Sequence, residues 1–232
     1  MGMHVGFIAA QCEWSPLHEA LEVHCGPLHD EGPISADEWF NLPSGQDVFH
    51  VASVGGRTYV LDPAMVLSSN TDLIVALGAR LRTLVVAGGG ETVSGTFWFT
   101  ASDESGAQRV HFEIAATLTE PFDLGTQLPS EPSVAWNDLD GAGIMARFAD
   151  LGFDPGVLTR GADGLRVLWP GERFPSSGEL GQQINEHCER FRRADADDWM
   201  KNITVHVRDG GGYDLQAKPA APRRRGWLRR GR

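Results

Sequence analysis

The sequence predicts an α+β fold: a mainly antiparallel sheet, helices packed on one side of it, and a helical C-terminal portion. Three observations carry this expectation. Val48 to Leu124 reads as strand, strand, helix, strand, strand and a further extended segment. Gly55-Gly56 separates two extended runs, where glycine's access to positive φ permits a tight hairpin. Arg109, His111 and Glu113 alternate with Val110, Phe112 and Ile114, the period of two that puts them on opposite faces of a strand.

Taken in order, Val5–Ala10 is an apolar run suited to a buried strand. Ser15-Pro16 opens a helix with serine as N-cap, Leu17, Ala20 and Leu21 face inward, and Gly26-Pro27 stops it. Ser35-Ala-Asp-Glu38 is a capping box before a short helical turn. Asp47–Val54 and Arg57–Leu61 form the hairpin. Ser69-Asn-Thr-Asp72 caps a helix whose stripe is Leu73, Ile74, Leu77 and Leu81. Thr83–Ala87 is a short strand, and Gly88-Gly89-Gly90 is read as the turn that joins it to Thr96–Ser102. That strand pairs with Arg109–Ala116 across a polar loop at Asp103–Gln108.

The prolines of Pro121–Pro132 argue against regular structure there. Asp140 caps a helix carrying Ile144, Met145, Phe148 and Leu151, ended by Gly152 with Pro155 beyond. Leu165–Trp169 is a strand, and Ser176-Ser-Gly-Glu179 is a second capping box before a helix with Leu180, Ile184, Cys188 and Phe191 on one stripe. Ile203–Val207 is the last expected strand, with order ending at Asp209-Gly-Gly-Gly212. The expected organisation is one domain over 1–216, with a possible sub-boundary near 129–133, and a basic, disordered tail over 217–232.

Charge is distributed unevenly. Residues 1–216 hold 13 basic and 31 acidic side chains, and 217–232 hold seven basic and none acidic, giving −18 and +7 within the net −11. An acidic body repels nucleic acid and attracts cationic partners. Arginine outnumbers lysine 18 to 2, a bias of GC-rich coding and not a functional signal. Cys12, Cys25 and Cys188 are an odd, scattered set, which points to a reducing cytoplasm and away from a disulfide framework. The N-terminal apolar run is too short for a signal peptide.

No motif specifies catalysis. Gly88-Gly-Gly-Glu91 lacks the lysine and the following helix of a phosphate loop. Cys12, His18, His24, Cys25 and His29 cluster, but lack the paired spacing of a zinc site, so no metal and no cofactor is expected. Val93-Ser94-Gly95 lacks the first glycine of a nucleophile elbow, and Cys188 beside His187 lies on an apolar stripe as an inert thiol would. Asp195-Ala-Asp-Asp198 lacks the twelve-residue calcium loop. The candidate binding residues are Arg109, His111 and Glu113, acting with Glu91 on an anion or in acid–base work. The competing expectation is that this trio is the solvated face of an antiparallel sheet. The functional version requires a concave pocket over the trio, lined by Trp98 or Tyr59.

Gly56-Arg-Thr-Tyr-Val-Leu-Asp-Pro63, Glu91-Thr-Val-Ser-Gly-Thr-Phe-Trp-Phe-Thr100 and Gly143-Ile-Met-Ala-Arg-Phe-Ala-Asp-Leu-Gly-Phe-Asp-Pro155 together resemble uncharacterised bacterial proteins suspected to be immunity-type partners of toxins. The resemblance spans about half the chain, and its motifs are structural, so no site residue is carried across. With the acidic body and the missing catalytic constellation, it points to a cytoplasmic, non-enzymatic protein-binding module that meets a cationic protein. The alternative is a small-molecule binder or enzyme using the Arg109/His111/Glu113 face. The basic tail, with Trp227 and Leu228 among its arginines, is the segment suited to anionic lipid or RNA.

Overall fold

The computed structural model describes residues 4–41, 48–91, 94–136, 141–171, 175 and 177–196, and the backbone of 203–207 and 213–217. The chain divides into two compact units, 1–193 and 194–232, and the division does not fall near 129–133. In the second unit, β10 (Ile203–Val207) pairs antiparallel with β11 (Tyr213–Ala217). Beyond the Asp209–Gly212 run, where order is expected to end, the chain forms a strand. Asp47, Val93, Asp140, Ser176, Asp198 and the basic tail from 218 onward lie outside the described residues.

Nine strands of the first unit form one antiparallel sheet, confirming the α+β class. They are β1 (His4–Ala10), β2 (His29–Ile34), β3 (Val48–Val54), β4 (Arg57–Asp62), β5 (Val85–Glu91), β6 (Thr96–Asp103), β7 (Gly106–Ile114), β8 (Phe122–Gly125) and β9 (Gly164–Leu168), in the order β2-β9-β3-β4-β1-β5-β6-β7-β8. The β3–β4 hairpin turns at Gly55 (φ 60°) and Gly56 (φ 75°), the left-handed pair that matches strand twist. β5 to β8 form a meander, and β1 joins hairpin to meander by pairing with both β4 and β5.

The helices α1 (Trp14–Cys25) and α2 (Thr71–Leu81) cover one face, where Leu17, Leu21, Leu73 and Leu77 pack with Ile8, Val60 and Ala87. The sequence reading placed the helices on one side. Instead α3 (Ala142–Asp150) and α4 (Pro155–Arg160) cover the other face, where Ile144, Phe148 and Leu158 pack with Phe7, Tyr59 and Phe99. The reason is visible in β1: Phe7 and Ala9 are as buried as Ile8 and Ala10, so both faces need cover.

The glycine triplet is not a turn. Gly88, Gly89 and Gly90 are the second half of β5, opposite Phe99, Trp98 and Phe97 of β6. A Cβ at Gly89 would sit 2.5 Å from Trp98 Cζ2 and 2.5 Å from the Val5 carbonyl oxygen. At Gly88 it would press within 3.0–3.3 Å of Phe99, Ile144 and Phe148. The glycines are selected for close approach on both faces, and the β5–β6 pairing expected from the turn is present without it.

Helix ends follow local chemistry with some substitutions. Ser35 and Glu38 complete the capping box of a single 3-10 turn, and Asn70 caps α2 by accepting from the Leu73 amide at 2.9 Å. Ser15 lies inside α1, whose N-cap is Glu13. Pro155, expected to follow a helix, begins α4 behind the cap Asp154. The N-cap of α5 (Glu179–Arg190) is Gly178, and the capping oxygens come from a distant residue. Asp72 accepts from Gly178 at 2.7 Å, Gly181 at 2.9 Å and Leu180 at 3.1 Å, fastening α5 to α2. β8 forms inside the proline-rich stretch because its four residues lie between Pro121 and Pro129.

Gly89→Ala is expected to destabilise the protein by about 1–3 kcal/mol, because the opposing atoms include backbone. Gly55→Asn, at a left-handed position with open space around it, is expected to stay within about 0.5 kcal/mol. Urea unfolding of the two variants measures the contrast.

Candidate functional site

Register decides where the candidate residues go. Arg109, His111 and Glu113 lie opposite Ala101, Phe99 and Phe97 of β6, on the α3 face. Glu91 pairs with His4 and Thr96 and lies on the opposite face. Arg109, His111 and Glu113 therefore act together, and Glu91 cannot join them.

The trio is not a solvated sheet face either. Arg109 and His111 are buried, His111 to 2 % exposure, and the trio lines a cavity of about 580 Å³. The wall opposite comes from β8 and the 126–136 loop, which supply Asp123, Gln127, Glu131 and Trp136. Trp98 and Tyr59 do not line it. Trp98 is on the other face, and the Tyr59 hydroxyl accepts from the Asp154 amide at 3.1 Å. Trp136 takes the aromatic place, stacking on the His111 ring at 4.2 Å and 7°.

Arg109 is the anchor. Its Nε and Nη2 donate to Glu131 Oε1 and Oε2, both at 2.8 Å, a bidentate fork. Nη2 also donates to Asp123 Oδ1, and Nη1 donates to the carbonyls of Val110 at 2.9 Å and Leu124 at 3.1 Å. All five guanidinium donors are thus engaged. Burial would lower the Arg109 pKa, but the bonds and charges of Glu131 and Asp123 outweigh it and raise the value. The same contacts overcome burial in the other direction for the carboxyls. Asp123, bonded to His111 and Arg109, lies below its ordinary 3.8, and Glu131 lies below 4.5.

His111 links two carboxylates. Its Nδ1 is 3.0 Å from Asp123 Oδ1, and its Nε2 is 3.5 Å from Glu113 Oε2, beyond a good hydrogen bond. Behind the pocket, Arg147 is fully buried, stands 4.5 Å from the Trp136 ring centroid, and donates to the Gly143 carbonyl at 3.2 Å and to the Val134 carbonyl. Ser130 ties the loop to α3 by donating to Asp150 from its amide at 2.9 Å and its hydroxyl at 2.6 Å.

The lining side chains carry three carboxylates and one guanidinium. Asp123 is 45 % exposed and Glu113 is 19 % exposed, whereas Glu131 is enclosed. The arrangement offers acceptors to a guest and no spare guanidinium donor. Among the described residues, no group of three His, Cys, Asp or Glu is gathered as metal ligands would be. Burial raises the Cys188 pKa, and His187 Nε2 donates to the Glu120 carbonyl at 3.1 Å. No helix among the described residues is long and apolar enough to cross a membrane.

Sequence reasoning missed Asp123, Glu131 and Trp136. Recognition of β8 would have supplied the first, since Asp123 is the register partner of His111. Glu131 and Trp136 come from an irregular loop with no periodic signal. Compared with protein-family models, curated proteins and solved structures, the chain matches none.

Glu131→Gln breaks the fork beneath a buried guanidinium and is expected to lose about 3 kcal/mol at pH 7. Glu131 titrates lower when folded, so its contribution is complete above its ordinary 4.5 and disappears as pH falls through the depressed folded value. The gap between native and variant chains should therefore close on acidification in paired urea titrations. A gap unchanged between pH 7 and pH 3 would contradict the assignment.

Proposed function

We propose that this chain is a non-enzymatic binding protein that accepts a cationic group, presented by a partner protein, in the pocket between β7, β8 and the 126–136 loop. The single observation that carries this reading is the pocket's charge balance. Three carboxylates face one guanidinium whose donors are consumed internally. An anionic guest would meet Asp123 and Glu113 with only the Gln127 amide and the His111 ring as further side-chain donors, whereas an ammonium or guanidinium N–H would find acceptors.

The −18 of residues 1–216 supports the same reading at long range, because it steers cationic partners and raises their association rate. The resemblance to immunity-type proteins adds a class of partner, a cationic toxin. Three cysteines outside any disulfide are in keeping with a reducing cytoplasm as its compartment. A second reading, a small-molecule binder or enzyme at the same pocket, is favoured by one feature: His111 lies between two carboxylates and could pass a proton between them.

Titration of the full chain with an arginine-rich test peptide separates these readings. Affinity should fall at least about tenfold when ionic strength rises from about 0.02 to 0.3 M. Glu113→Gln or Asp123→Asn should weaken binding about fivefold at low salt. An acidic peptide bound equally well, or variants that bind as the native chain does, would sink the proposal. Binding of methylguanidinium alone as tightly as the peptide would favour the small-molecule reading.

A further inference from the structure

The opposite face of the sheet holds a second cavity, of about 620 Å³, between the start of α2, β5–β7 and α5. Its walls include Met65, Val66, Trp98, Phe112 and Ile184, all apolar. The indole of Trp98 is seated against Gly89, and Phe112 is its cross-strand partner, so two aromatic residues stand side by side there. Two carboxylates, Asp72 and Glu91, also line the cavity, and among the described residues its lining contains no lysine, arginine or histidine.

The two carboxylates are not equivalent. Asp72 is occupied by three amides of the Gly178–Gly181 segment. Glu91 is 31 % exposed; its Oε2 accepts from the Ser94 hydroxyl at 2.7 Å, and its Oε1 has His4 Nδ1 at 3.8 Å, beyond hydrogen-bond reach. Most other polar side chains at the rim are also used internally. Asn70 caps α2 and donates to the Pro175 carbonyl at 3.0 Å, and Thr71 accepts from the Thr100 hydroxyl at 3.3 Å. A cation rich in N–H groups would lose its water against the apolar walls and regain few acceptors. An alkylated ammonium has few or no N–H groups to satisfy, and its diffuse charge suits aromatic faces beside a carboxylate.

We infer that this cavity is a binding site for a small alkylated ammonium cation, with Glu91 as its counter-charge and Phe112 and Trp98 as its aromatic walls. The site is separate from the pocket over β7 and β8, which offers acceptors to an N–H donor. Trp98 Nε1 is buried and has no hydrogen-bond partner among the described residues, so Trp98 serves the cavity as an apolar wall.

Choline and its uncharged isostere 3,3-dimethylbutan-1-ol are the probes, titrated calorimetrically against the full chain. Choline should bind at one site at least about fivefold more tightly than the isostere. Glu91→Gln and Phe112→Leu should each remove most of that preference and leave the isostere's affinity unchanged. Asn185→Trp, an exposed rim position chosen to plug the cavity without disturbing the core, should abolish binding of both. Asp123→Asn, on the other face, should change neither. Equal affinity for the two probes, no binding of choline, or a choline preference that survives both Glu91→Gln and Phe112→Leu would overturn the assignment.

Discussion

Close approach at three glycines is the constraint on which the rest of this fold depends. Gly6 and Gly89 are register partners in the central strand pair, and Gly88 lies beside them with its face reversed. A Cβ at Gly6 would fall 1.8 Å from Ser68 Oγ, so the loop after β4 can settle on the sheet only where that carbon is missing. On the reverse face, the missing carbon at Gly88 admits Phe99 and the Ile144–Phe148 side of α3. The centre of the sheet is thereby packed on both sides, as close-packed interiors require. Cavities remain on both faces toward β6–β8.

That arrangement sorts the ionisable side chains by face. Burying Arg109 is tolerable only because a carboxylate fork and two carbonyls replace its water. The replacement uses every donor it has, and this converts a residue that reads as an anion ligand into a structural post. What remains accessible around it is acidic. On the reverse face, the lining has carboxylates and aromatic rings and, among the described residues, no resident cation. Two hollows of similar volume thus differ in the cation chemistry they suit, and the difference comes from how much of each polar group the fold has already consumed.

Much of the architecture was legible because it is locally encoded. Gly55-Gly56 between extended runs, the Ser35–Glu38 box and Asn70 before an apolar stripe each specify their own geometry within a few residues. Alternation along Arg109–Ile114 correctly put the trio on one face. The glycine triplet was ambiguous, because freedom at φ and lack of a side chain are the same property, and only a partner some 80 residues away in β1 decides which one is used. The pairing of polar β2 with β9 is equally non-local, joining His29 to Leu168. Likewise, Asp72 reads as a residue of its own helix start, yet its oxygens cap α5 more than 100 residues later. Burial of the trio could not be read from period two, which distinguishes faces but not which face is covered; the cover comes from Trp136 and Glu131 in an aperiodic loop.

The most direct test of this account is the state of the backbone at Gly88–Gly90, read by nuclear magnetic resonance on the full chain. The paired-strand geometry predicts cross-strand contacts between Gly89 and Gly6 and between Gly88 and Phe7, with slow amide exchange across the triplet. Rapid exchange at those amides, with no contact to β1, would mean that the triplet is a solvent-facing turn. The two faces, and the two cation sites assigned to them, would then have no common floor.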